Sequence, residues 1–130
     1  MGDFKKLRVW RYAHALMLNV HVAAREIRGS HYIALRSQII RAAMSIPANI
    51  VEGRAKLGDS DFARFLGYSI ASTRELEYHL LAARDIGAIT PEAFESLTVQ
   101  VTDVRKMLHG LITTLEARTP RPTTRKVPAQ

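Results

Sequence analysis

The chain has 130 residues, no cysteine and a formal net charge of +7. That length suits one domain with one sizeable core, and the lack of cysteine excludes a disulfide framework or a thiol site. Residues 1–30 carry charges throughout and no apolar run approaches the roughly 20 residues of a membrane span, so a cytoplasmic protein with no leader and no membrane contact is expected.

The first predicted element covers residues 4–28. Trp10, Ala13, Met17, Val20, Ala24 and Ile27 recur at helical spacing and make one apolar stripe, with Val9, Leu16 and Ala23 in a parallel line beside it. The apolar arc is then roughly 140° wide, against about 100° for an ordinary core-facing stripe. The surplus implies either extra core or a subunit interface. Gly29 and Ser30 end this helix and offer a cap to the next.

The second element covers residues 31–55, with apolar Leu35, Ile39, Ala42, Ile46 and Ile50 and with Pro47 in its interior. A proline there costs about 3 kcal/mol, so a kinked but continuous helix is expected. Gly58, Asp59 and Ser60 mark a turn, with Asp59 or Ser60 as the N-cap of a third helix over 61–86. Its stripe is Phe62, Leu66, Ser69, Thr73, Leu76, Leu80 and Ala83, and Gly87 is placed to close it.

Thr90 and Pro91 open the fourth helix as N-cap and N1 proline. Phe94, Leu97, Val101, Val104, Leu108, Leu111 and Leu115 then repeat without a break, and the helix ends near Arg118. Residues 119–130 are Pro-rich, basic and without apolar period, which predicts a disordered tail. No alternating strand pattern occurs. Four helices of about 25 residues, each about 37 Å long and joined by short turns, predict an all-α, antiparallel up-down-up-down four-helix bundle over 1–118.

Catalytic and metal chemistry find little support. The histidines are His14, His21, His31, His79 and His109, and neither His79 nor His109 has a glutamate three residues before it, as a di-iron bundle requires. His14 and His21, seven apart, read as a polar border. No phosphate loop, H-E-x-x-H or G-x-S-x-G is present. Glu75 and Glu77 are two apart, so they leave a helix in different directions and make a poor acid–base pair. No enzyme, cofactor or metal is expected.

Charge is unevenly spread: the first 56 residues hold ten Lys/Arg against three acids, residues 57–118 hold six against nine, and the tail holds three against none. Ordinary solubility charge is one reading and a polyanionic partner is the other. The candidate nucleic-acid surface is Lys5, Lys6, Arg8, Arg11, Arg25 and Arg28 on the first helix with Arg36, Arg54 and Lys56 on or after the second. Such cations neutralise phosphates. Tyr12 and Tyr32 are the exposed aromatics expected, too few for a stacking platform, so backbone binding is predicted and not base reading.

The run FKKLRVWRYA from Phe4, the stretch LRSQIIRAAMSIPANIVEG from Leu35 to Gly53, and Phe62, Phe65, Leu66, Ser72, Glu75, Leu76 and Glu77 together resemble the bacterial four-helix-bundle proteins, the 23S rRNA intervening-sequence or S23-type family. SIPANIVEG is the most specific part. The resemblance implies a homopentamer around a central channel. It also implies kinship with the accessory variability determinant of diversity-generating retroelements, a basic pentamer that binds nucleic acid beside a reverse transcriptase.

On a helical wheel Arg41, Ser45 and Glu52 cluster, with Asn49 alongside. Three readings compete for them. They satisfy backbone groups freed by Pro47 as a partly buried network that includes Glu75, they fix pentamer register, or they form a ligand site. Arg41 is expected to pair with Glu75 or Glu52. The chain as a whole reads as a non-enzymatic oligomeric bundle that binds RNA or DNA, with an oligomeric protein–protein adaptor as the alternative.

Overall fold

The structure, a computed structural model, describes residues 3–118. A 3-10 turn, Phe4–Lys6, precedes α1 (Arg8–Arg25); a second, Ser30–Tyr32, precedes α2 (Ile33–Arg54); α3 (Asp59–Asp85) and α4 (Pro91–Arg118) follow. No strand occurs among the described residues. The expected tail, 119–130, lies outside them.

The helix ends follow local chemistry, and three differ from expectation. Residues 4–28 are not one helix. The Asp3 carboxylate accepts the Lys5 amide at 2.9 Å and Leu7 is extended (φ −74°, ψ 123°), which confines the first turn to 3-10 geometry and starts α1 at Arg8. Ser30 does not cap α2, because it opens the intervening 3-10 turn behind Gly29, whose φ of 108° suits glycine. Neither Asp59 nor Ser60 caps α3. Gly58 takes the cap position without a side-chain bond, and Asp59 and Asp61 sit in the first turn, where the helix dipole favours acids.

Two ends are as the sequence predicts. Gly87 (φ 79°) donates to the Arg84 carbonyl at 3.0 Å, and Ala88 donates to that of Ala83 at 2.8 Å, the two bonds of a Schellman closure. The Thr90 hydroxyl accepts the Ala93 amide at 3.1 Å and caps α4.

Each helix packs against its chain neighbours, and α1 closes the ring against α4. Pairings run antiparallel: Ser45 meets Ser72 while Ile46 meets Ser69, and Glu77 meets Arg105 while Asp59 meets Arg118. The starts of α1 and α3 and the ends of α2 and α4 therefore share one end of the bundle. The core is Leu16 and Val20 of α1, Ile39, Ile46 and Ile50 of α2, Leu66, Leu76 and Leu80 of α3, and Val101, Val104 and Leu108 of α4, all buried. Each such side chain contributes about 1.5–3 kcal/mol on leaving water.

All seven stripe positions of α3 are buried, whereas Trp10 and Met17 of α1 are only half-buried. Val9 and Leu16, from the parallel line, are buried, so most of that surplus is core within the subunit.

Candidate nucleic-acid interface

The nine cations singled out from the sequence divide between the two ends of the bundle. Lys5, Lys6, Arg8 and Arg11 at the start of α1 share an end with Arg54 and Lys56 at the close of α2. Arg25 and Arg28 stand at the other end: 17 residues of helix separate Arg8 from Arg25, about 25 Å at 1.5 Å per residue. Arg36 is also at that far end. Its guanidinium donates to the Ile27 carbonyl oxygen and ties the start of α2 to the chain leaving α1. That bond anchors the side chain without neutralising its charge, as do the bonds from Arg11 to the Lys5 and Lys6 carbonyls at 3.4 and 3.3 Å.

Charge pairing separates the arginines of the two halves of the chain. Each of the arginines of α3 and α4 meets a carboxylate: Arg64 with Asp61 (3.2 Å), Arg74 with Glu77 (3.8 Å), Arg84 with Asp85 (3.0 Å), Arg105 with Glu77 (3.0 Å) and Arg118 with Asp59 (3.1 Å). Among the described residues no lysine or arginine before Leu57 forms an ion pair. Several of these cations lie over aromatic rings instead: Lys5 over Phe4 (6.0 Å), Arg8 over Tyr12 (5.2 Å), Arg54 over Phe62 (5.7 Å) and Lys56 over Phe65 (4.9 Å). A ring attracts the cation without neutralising it, so the charge stays available to a polyanion.

The polar residues around Pro47 are only partly brought together. α2 runs unbroken through Pro47. Ser45 donates to the Ala42 carbonyl at 2.8 Å, and its hydroxyl is hydrogen-bonded to that of Ser72 at 2.6 Å. Asn49 donates to the Ser45 carbonyl at 2.8 Å, and buried Ser69 donates to that of Ile46, also at 2.8 Å. These bonds end on the Ala42, Ser45 and Ile46 carbonyls, neighbours of the Ala43 carbonyl whose helical donor Pro47 removes. Ser69 and Ser72 were not expected in this role, because their pairing depends on the register between α2 and α3.

Arg41 does not join this layer. It is exposed and forms no ion pair among the described residues, which corrects the expected bond to Glu75 or Glu52. Glu52 is exposed, and Glu75 stands 3.5 Å from His79, its i+4 neighbour. The wheel angle grouped Arg41 and Glu52 with Ser45, but only the short side chains near α3 reach the interface.

No grouping of three or more His, Asp or Glu able to hold a metal occurs among the described residues. None of the described helices is long and apolar enough to cross a membrane.

A ring of four antiparallel helices, with a serine layer at an internal proline and unpaired cations gathered in its N-terminal half, defines the class: a basic, all-helical four-helix-bundle protein. The chain belongs to the 23S rRNA-intervening sequence protein family, whose model matches residues 5–110. A solved crystal structure of a protein of unknown function from the S23 ribosomal protein family, from Bacteroides thetaiotaomicron, is similar at 25% identity with a TM-score of 0.75. The match covers 80% of this chain and 97% of that one. No curated protein matches the sequence.

Proposed function

We propose that this protein is a non-enzymatic, cytoplasmic, oligomeric bundle that binds the backbone of RNA or DNA. The carrying observation is the charge segregation: the arginines of α3 and α4 are spent on carboxylates, while Lys5, Lys6, Arg8, Arg11, Arg54 and Lys56 share one end of the bundle with no such partner among the described residues. Phosphate is the ligand this arrangement fits.

The test is binding to structured RNA, duplex DNA and single strands across a salt series. Affinity is expected to fall steeply with salt, and neutralising Arg8 and Arg11 is expected to weaken every sequence alike. Binding that ignores salt, or none at about 50 mM salt, overturns the reading.

Assembly as a homopentamer belongs to the same proposal. Leu18 and Val22 of α1 and Ile33 and Met44 of α2 are each half or more exposed, apolar surface that other copies would cover. A stable monomer by light scattering overturns this part. The same surface also favours the second reading, a protein–protein adaptor with a protein such as a reverse transcriptase as its ligand; nucleic-acid binding that is absent at every salt, with the oligomer intact, selects it.

A further inference from the structure

The turn between α2 and α3 concentrates rings and cations. Lys56 Nζ is 4.9 Å from the centre of the Phe65 ring and the Arg64 guanidinium is 5.3 Å from the same centre. Arg54 lies 5.7 Å from the Phe62 ring, and the Phe65 ring meets Tyr68 edge-on at 5.2 Å. Gly53 makes this convergence possible: a Cβ there would fall 2.7 Å from Phe65 Cβ, so only glycine lets the end of α2 lie this close to α3.

Of the acids beside the turn, Asp59 pairs with Arg118 and Asp61 with Arg64 while Glu52 is exposed, and Arg54 and Lys56 form no ion pair among the described residues. Tyr68 is 46% exposed and adds a solvent-accessible aromatic residue to the cluster.

We propose that this turn binds unpaired nucleotides, with Lys56 and Arg54 against phosphates and with Tyr68, backed by Phe65, as the surface on which a base stacks. The inference rests on the nucleic-acid reading above and goes beyond it in naming the strand form and the residues. Backbone cations serve duplex and single strand alike. Rings do not, because the bases of a duplex already stack on one another and offer no free face, whereas those of a single strand do. A ring beside unpaired cations therefore adds affinity for single strands alone.

The experiment is fluorescence anisotropy on the full chain with a labelled oligouridine strand and a labelled duplex of equal length at one salt concentration. The wild type is expected to favour the single strand. Tyr68→Leu, at an exposed position, keeps apolar bulk and removes the ring; it is expected to cost the single strand about tenfold, leave the duplex unchanged and leave the denaturation midpoint unchanged. Tyr68→Phe is expected to retain binding, and Lys56→Gln to weaken both ligands. Equal wild-type affinity for the two forms, or a Tyr68→Leu variant that binds both as before or loses both equally, overturns this inference and leaves backbone binding standing. Absence of binding to either ligand overturns both.

Discussion

A Cβ placed on Gly53 would lie 2.7 Å from Phe65 Cβ and 3.3 Å from the Phe62 carbonyl oxygen, so α2 and α3 meet at backbone distance where the first ends and the second begins. The blocking atoms are a Cβ, fixed by its own backbone, and a main-chain oxygen, and neither can swing aside. Replacing a helical glycine by alanine gains about 1 kcal/mol of helix propensity. Forcing a methyl into a closed contact costs about 1–3 kcal/mol. The second effect wins here, and Gly53→Ala is expected to lower stability by up to about 2 kcal/mol, read as a lower urea midpoint at constant slope. A raised midpoint would show that the two helices part without cost.

The Ser69 hydroxyl, fully buried, donates to the Ile46 carbonyl oxygen, the residue before Pro47. Ser69→Ala removes that donor and leaves the carbonyl its remaining helical position, so the loss is a single neutral hydrogen bond of about 0.5–1.5 kcal/mol. Ser69→Val adds volume where the helices are close, and is expected to cost more than the alanine. Equilibrium denaturation of the two variants checks the order; a valine variant as stable as wild type would mean that this layer has room.

The signals that sequence conveyed correctly are those that act within one helix. The α3 stripe from Phe62 to Ala83 is buried at every position, and Gly87 and Thr90 close and open their helices through bonds to residues within five positions. What sequence could not convey depends on the register between helices. Arg41 shares a wheel sector with Ser45, yet the partner of Ser45 is Ser72, across on α3, and no carboxylate stands opposite Arg41 among the described residues. Nothing within one helix links the rings of α3 to the cations of α2; the close approach at Gly53 brings Arg54 beside Phe62 and Lys56 beside Phe65. Arg36 looked like one more free cation because the Ile27 carbonyl it satisfies is exposed only by the way α1 ends.

Gly87 is the counterpart of Gly53. Nothing lies within 4 Å of a Cβ built there, but its φ is 79°. The cost of Gly87→Ala is therefore conformational alone, about 1 kcal/mol. Gly87→Asn is expected to recover part of it, since asparagine tolerates the left-handed region. At Gly53, where space is the constraint, asparagine is expected to be worse than alanine. Opposite rankings at the two sites, measured as thermal midpoints, check the distinction; the same ranking at both would refute it.

Arg105 of α4 and Glu77 of α3 pair at 3.0 Å with side-chain exposures of 12% and 34%, and Arg74 approaches the same glutamate at 3.8 Å. The two partners are thus not equivalent. Glu77→Gln leaves a mostly buried guanidinium without its counter-charge. Removing one partner of a fully buried pair costs 3–5 kcal/mol, and the partial exposure here lowers the expectation to about 1–3 kcal/mol. Arg105→Met keeps the stem that packs between α3 and α4 and leaves a carboxylate that water reaches and Arg74 still faces, so its cost is expected to stay below about 1 kcal/mol. Paired urea titrations test the order. If Arg105→Met proves the more damaging, the guanidinium contributes through contacts other than Glu77; if neither variant moves the midpoint, solvent already screens the pair.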